Sequence, residues 1–189
     1  MQDFKLTKRE KKTLLEVSKR TLVEAVYNRK APKIHIADES LNQKWGAFVT
    51  LHLDGSLRGC IGNITAQTPL WKTIRNMTIE AAFHDPRFPA VNASELSRIE
   101  IEISVLSPLK QVKDISEIEV GKHGILIKRG PNQGLLLPQV AAEYGWDRIK
   151  FLEETCCKAG LAKDSYKGQD CRIFIFSAQV FSEKDLGAE

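Results

Sequence analysis

Apolar residues recur at helical spacing near the start of the chain. Leu15, Leu22 and Val26 set the stripe, and Leu14 and Val23 widen it. That pattern predicts a long amphipathic helix. Thr7-Lys8-Arg9-Glu10 has the Thr-x-x-Glu form of a capping box, so the helix should open there. It should run to about Arg29 and stop before Pro32. The stretch "APKIHIADESLNQKW", residues 31–45, reads as a connecting loop. "GAFVTLHL" and "SLRGCIG" flank Asp54-Gly55 and predict a hairpin with a two-residue turn. Thr68-Pro69 reads as an N-cap followed by proline in the first turn of a helix. Leu70, Ile74, Met77 and Ala81 form its apolar stripe, and Pro86 ends it near His84.

The second half alternates more. In "RIEIEISVLS", Ile99, Ile101, Ile103 and Val105 face one way, and Glu100, Glu102 and Ser104 the other. This predicts a strand with one wet face. "GILIK" and "GLLLP" bracket the turn-like "RGPNQG". Pro138 opens a helix through "QVAAEYGW", and a further helix in "WDRIKFLEETCCKAG" stops at Gly160. "CRIFIFSAQVF" is apolar on both faces at first and reads as a central strand. The expected class is α+β: a mixed, mostly antiparallel sheet with flanking helices, in a larger and a smaller lobe. Residues 1–189 are expected to form one domain, with room for two sub-lobes and no separate linker.

Composition narrows the function classes. The 189 residues are 42% hydrophobic and 28% charged, an ordinary globular mixture. The opening residues lack the apolar run of a signal peptide. No apolar stretch approaches the roughly 20 residues of a membrane span. A cytoplasmic protein without a membrane segment is expected. The net charge of +4 is carried by residues 1–30, which hold nine Lys/Arg against four Asp/Glu. One basic helix without interleaved aromatics argues against nucleic acid as a partner. The four cysteines and four histidines form neither Cys-x-x-Cys nor His-x-x-x-His, so no metal site is expected.

The candidate chemistry centres on "DGSLRGCIGN", residues 54–63. Arg58 and Cys60 are i and i+2 on a strand. A guanidinium beside a thiol favours the thiolate, and Gly59 and Gly62 leave the backbone open to close approach or to a bulge. A two-residue turn places Arg58 and Cys60 on the face of Val49, Leu51 and Leu53, with His52 opposite; a bulge would reverse this. Cys60 is thus either a nucleophile or a small buried hydrophobe. Asp85-Pro86-Arg87-Phe88-Pro89 is a stiffened loop presenting an acid, a base and an aromatic. It is either a binding loop, or Asp85 and Arg87 form local caps and a salt bridge while Phe88 anchors in the core. Gln139 and Glu143, with Trp146, either line a cleft beside the "LLLP" strand or serve packing alone. Cys156 shares the core face of Leu152.

Five ordered blocks, "LRGCIG", "DPRFPAV", "GKHGILI", "LLLPQVAAEYGW" and "FLEETCCKAGL", together resemble the AMMECR family, over roughly residues 10–182. Its prokaryotic members are called AmmeMemoRadiSam system protein A. The resemblance implies an α+β fold with a cleft near the LRGCIG hairpin. It also implies association with Memo-like proteins and radical S-adenosylmethionine enzymes. It implies no reaction and leaves the cofactor unknown. The family signature falls on Leu57, Arg58, Gly59, Cys60, Ile61 and Gly62, and on Asp85, Arg87 and Phe88. Two readings follow. One is an accessory protein that binds a partner or a small anionic ligand, anchored by Arg58 and Arg87. The other is a thiol-dependent enzyme with Cys60 as nucleophile, Arg58 as anion or thiolate stabiliser, and Asp85 or Glu143 handling protons.

Overall fold

A computed structural model describes residues 5–187. Residues 1–4, part of the stretch read above for a leader, lie outside the described residues. The elements run α1 Lys8–Asn28, β1 Trp45–Leu53, β2 Ser56–Thr65, α2 Leu70–Phe83, β3 Ile99–Leu106, β4 Lys110–Gln111, β5 Gly124–Arg129, β6 Asn132–Leu136, α3 Pro138–Glu143, α4 Arg148–Lys158, β7 Arg172–Phe176 and β8 Ala178–Ser182. The class is α+β, with the strands divided between two antiparallel four-stranded sheets. The chain forms two compact units. The larger holds the chain up to Leu106 and again from Gln179; the smaller is Ser107–Ala178. No helix among the described residues is long and apolar enough to cross a membrane.

In the larger unit the sheet order is β2-β1-β3-β8. Helix α1 starts on the expected capping box, with Thr7 Oγ1 accepting from the Glu10 N–H and Glu10 accepting from the Thr7 N–H. Leu14, Leu15 and Leu22 of α1 and Leu70, Ile74, Met77 and Ala81 of α2 pack on Ala47, Val49 and Leu51 of β1 and Ile101, Ile103 and Val105 of β3. Each Leu, Ile, Val or Met among them contributes about 1.5–3 kcal/mol by leaving water. Inside this apolar layer the Ser18 and Thr78 hydroxyls satisfy each other at 2.7 Å, tying α1 to α2.

The smaller unit has the order β4-β7-β5-β6. Its core gathers Ile118, Ile125, Ile127, Ile175, Phe151, Leu152 and Cys156. Cys156 and Leu152 share the buried face of α4 as the spacing required, and Cys157 is exposed.

Four local expectations shift. The α2 N-cap is Pro69 and makes no side-chain cap bond; Thr68 turns its hydroxyl to Thr73 instead. The outer half of β3 is not wet, because Ser104 and Leu106 are buried along with their neighbours. The turn after β5 is only Gly130-Pro131, since Arg129 already pairs with Asn132. The run from Cys171 to Phe181 is not one strand. It breaks at Ser177 into β7, which is central in the second sheet, and β8, which edges the first.

The β1–β2 hairpin turns on Asp54 and Gly55, both at positive φ (50° and 81°), as a primed two-residue turn demands. Gly59 of β2 lies directly under α2: a Cβ there would stand 2.2 Å from the Ala81 carbonyl oxygen. Backbone cannot yield as a flexible side chain would. Gly59→Ala is therefore expected to lower the stability by about 1–3 kcal/mol, read as a lower urea midpoint at unchanged slope.

Candidate functional site

The hairpin register carries the site. His52 pairs with Leu57, but Leu51 pairs with Gly59, so Arg58 is an extra residue in β2. From there the faces are exchanged. Thr50 pairs with Cys60, and Val49 with Ile61. The expected placement of Cys60 with Val49, Leu51 and Leu53 is thereby corrected, and the bulge alternative holds. Cys60 faces away from the α1/α2 core, on the side of Thr50 and His52. The bulge is the cause, since one extra residue flips all that follows. His52 pairs with Glu100 and Thr50 with Glu102 across β1–β3, so two carboxylates belong to the same face. The Thr50 hydroxyl stands 3.2 Å from the Cys60 sulfur.

Arg58 does not serve that thiol in the way its spacing suggested. Its Nε donates to Glu95 Oε1 at 2.7 Å and its Nη2 to Oε2 at 3.2 Å. Both side chains are about nine-tenths buried, and Nη1 is buried without a protein partner. Glu95 is held in turn by the Asn92 backbone N–H and amide. The Arg58 hydrogen bonds, reinforced by Asn92, keep its carboxyl below the ordinary range despite burial. This forked pair fixes the bulge from inside. Removing one partner of such a pair strands a buried charge, at about 3–5 kcal/mol. Glu95 escaped the sequence reading, although Asn92-Ala93-Ser94-Glu95 has the capping-box form. The structure makes that box.

The second block meets the first at the backbone of Cys60. Edge strand β2 has outward backbone groups with no strand beside them. Asp85, 3% exposed, accepts the Cys60 N–H at 2.9 Å. It also accepts from the Arg87 backbone N–H at 3.1 Å, from Arg87 Nε at 2.9 Å and from Nη2 at 2.7 Å. Arg87 Nη2 reaches the Cys60 carbonyl at 3.4 Å. The pair thus clasps Cys60 by both its N–H and its C=O. The turn is closed by the Phe88 N–H on the Asp85 carbonyl, and the Arg87 guanidinium lies 5.4 Å from the centre of the half-buried Phe88 ring. The Arg87 hydrogen bonds, then that of Cys60, hold the Asp85 carboxyl far below its usual range against desolvation. The Arg87 side chain remains 54% exposed.

Gln139 and Glu143 sit on α3 in the smaller unit, and neither makes a side-chain hydrogen bond or ion pair among the described residues. Trp146 stacks on Tyr144 with ring centres 5.0 Å apart. Gly62 lies over Phe48, whose ring a Cβ would strike at 2.3 Å; it is a packing glycine. No group of three or more His, Cys, Asp or Glu among the described residues is arranged to hold a metal ion.

The AMMECR1 family model matches residues 15–181. The protein MK0488 of Methanopyrus kandleri is 41% identical over 190 residues, covering 96% of this chain and 92% of that protein. The protein NEQ441 of Nanoarchaeum equitans is 43% identical over 152 residues, covering 77% and 84%. Among solved structures, that of the uncharacterised protein PH0010 from Pyrococcus horikoshii superposes with a TM-score of 0.84 at 36% identity, over 91% of this chain and 90% of that one.

The depressed pKa of Asp85 gives a signed pH dependence. Its contribution is complete above the unfolded-state carboxyl pKa of about 4 and is lost as pH falls through that value toward the lower folded one. Asp85→Asn is expected to cost about 1–3 kcal/mol at neutral pH, with the gap to wild type closing as urea unfolding is repeated at successively lower pH. A gap that stays constant into strong acid would show that the carboxylate charge is not what holds the clasp.

Proposed function

The chain belongs to the AMMECR1 family, and from that premise we propose that it is a cytoplasmic accessory protein whose clasped LRGCIG hairpin binds a partner or a small anionic ligand. By the family resemblance the partners are Memo-like proteins and radical S-adenosylmethionine enzymes. The observation that carries this reading is the Asp85–Arg87 clasp on Cys60. A carboxylate with so low a pKa is a poor general base near neutrality, and Arg58 is consumed by Glu95. What the clasp supplies instead is a guanidinium held beside a partly exposed thiol by fixed bonds, with its outer side open to water. A preorganised cation of this kind recognises carboxylates and phosphates at small entropic cost. Arg87 therefore takes the anchoring role expected of Arg58 and Arg87 together. Co-purification with a Memo-like protein and a radical S-adenosylmethionine enzyme tests the reading. Arg87→Ala is expected to reduce recovery about tenfold, the worth of one charge-assisted contact. Equal recovery from both forms would remove the hairpin from partner binding.

A second reading, thiol chemistry at Cys60, is favoured by the Thr50 hydroxyl on the sulfur and by His52 sharing that face. The cysteines supply their own controls. Burial pushes the Cys156 thiol up to about 11 and raises that of Cys171, while Cys157 is exposed. An activated Cys60 would be alkylated by iodoacetamide at neutral pH roughly tenfold or more faster than Cys157. On the accessory reading Cys60 reacts no faster than Cys157.

A further inference from the structure

Away from the hairpin, the ends of α1 and α2 enclose a pocket of about 370 Å³. Ala25, Ile79 and Phe83 give it an apolar lining, Arg29 and Lys30 bring cationic side chains to it and His84 lies beside them; no carboxylate among the described residues lines it. The volume lies within the range of small-molecule sites.

The cations are not explained by the helix ends alone. Two C-termini, capped at Arg29 and His84, meet this pocket, and each carries about half a negative charge. Neither helix has a basic residue in its last turn. Arg29 and Lys30 lie just beyond, carry two full charges, and have no side-chain partner among the described residues. His84 is engaged by Glu80 at 3.1 Å.

Arg29 adds a separate observation. It stands at φ 50°, ψ 32°, in the left-handed region. Helices that end this way usually place glycine there, because a Cβ is disfavoured. The chain keeps an exposed arginine at the position where glycine would relieve the backbone. A side chain retained against its backbone preference is an indication of use.

We infer that this pocket binds an amphipathic organic anion, an acidic head group on an apolar body. The head group meets Arg29 and Lys30 at the rim, and the body lies against Phe83, Ile79 and Ala25. The reading is independent of the function proposed for the hairpin.

Decanoate is the probe, with decyltrimethylammonium and inorganic phosphate as controls, titrated into the full chain and followed by amide chemical shifts. Decanoate is expected to shift the amides of Ala25, Phe83 and His84 to saturation. Arg29→Ala/Lys30→Ala should weaken it by roughly tenfold or more. Ala90→Trp, which keeps both charges but puts a large ring on the pocket lining, should abolish binding. Arg29→Gly is the sharpest variant: it should raise the Tm by relieving the left-handed backbone and yet weaken decanoate. Four results would overturn the inference: no saturable shifts at these amides, equal binding of the cationic amphiphile, equal binding of phosphate alone, or a more stable Arg29→Gly that binds decanoate undiminished.

Discussion

An edge strand has to satisfy backbone groups that no neighbouring strand will take, and here one carboxylate does so at the residue that matters most. Asp85 closes the outward N–H of Cys60 while holding the arginine that covers the Cys60 carbonyl. The loop after α2 is thereby fastened to β2, and the thiol's backbone is fixed in place. The clasp also blunts part of an open edge that would otherwise invite another strand. Structure and recognition draw on the same bonds, because the guanidinium that completes the clasp is the one left half exposed.

The buried counterpart is Arg58 with Glu95. The bulge that makes Arg58 supernumerary in the ladder sends it to an interior carboxylate, and the same bulge turns Cys60 outward. One inserted residue thus separates two side chains that their spacing in the sequence had put together. It leaves two arginine–carboxylate pairs side by side in the chain's logic, one sealed and one open. The sealed pair sets geometry; the open one has charge to offer.

Much of the fold was legible because it depends on local signals. The Thr7/Glu10 box, the Asp54-Gly55 turn, the stripe from Leu70 to Ala81 and the stop at Gly160 each act within a few residues, and each holds in the structure. The shift of the α2 cap to Pro69 and the shortened turn at Gly130-Pro131 are local misses; those that decide the site are non-local. Gly59 allowed a bulge to be named as an alternative, but its formation depends on α2 and Glu95, far along the chain. Glu95 is 37 residues from its partner. The strands β7 and β8 share one apolar run, yet sheet membership depends on which partners are reached in space. At the site, the residue types of the two blocks and the salt bridge between Asp85 and Arg87 were readable; the reach of Asp85 to Cys60 and the pairing of Glu95 with Arg58 were not.

The break at Ser177 has a consequence for how the chain comes to be made. Strand β8 is the outermost member of the sheet that β1 and β2 begin, and it emerges from the ribosome only after residues 107–177. The earlier-synthesised body must wait, its β3 flank unclosed, while an entire inserted module is translated. Long-separated pairings of this kind are slow to form. The nascent protein therefore carries a vacant ladder throughout that interval, which is where a chaperone would have its clearest work.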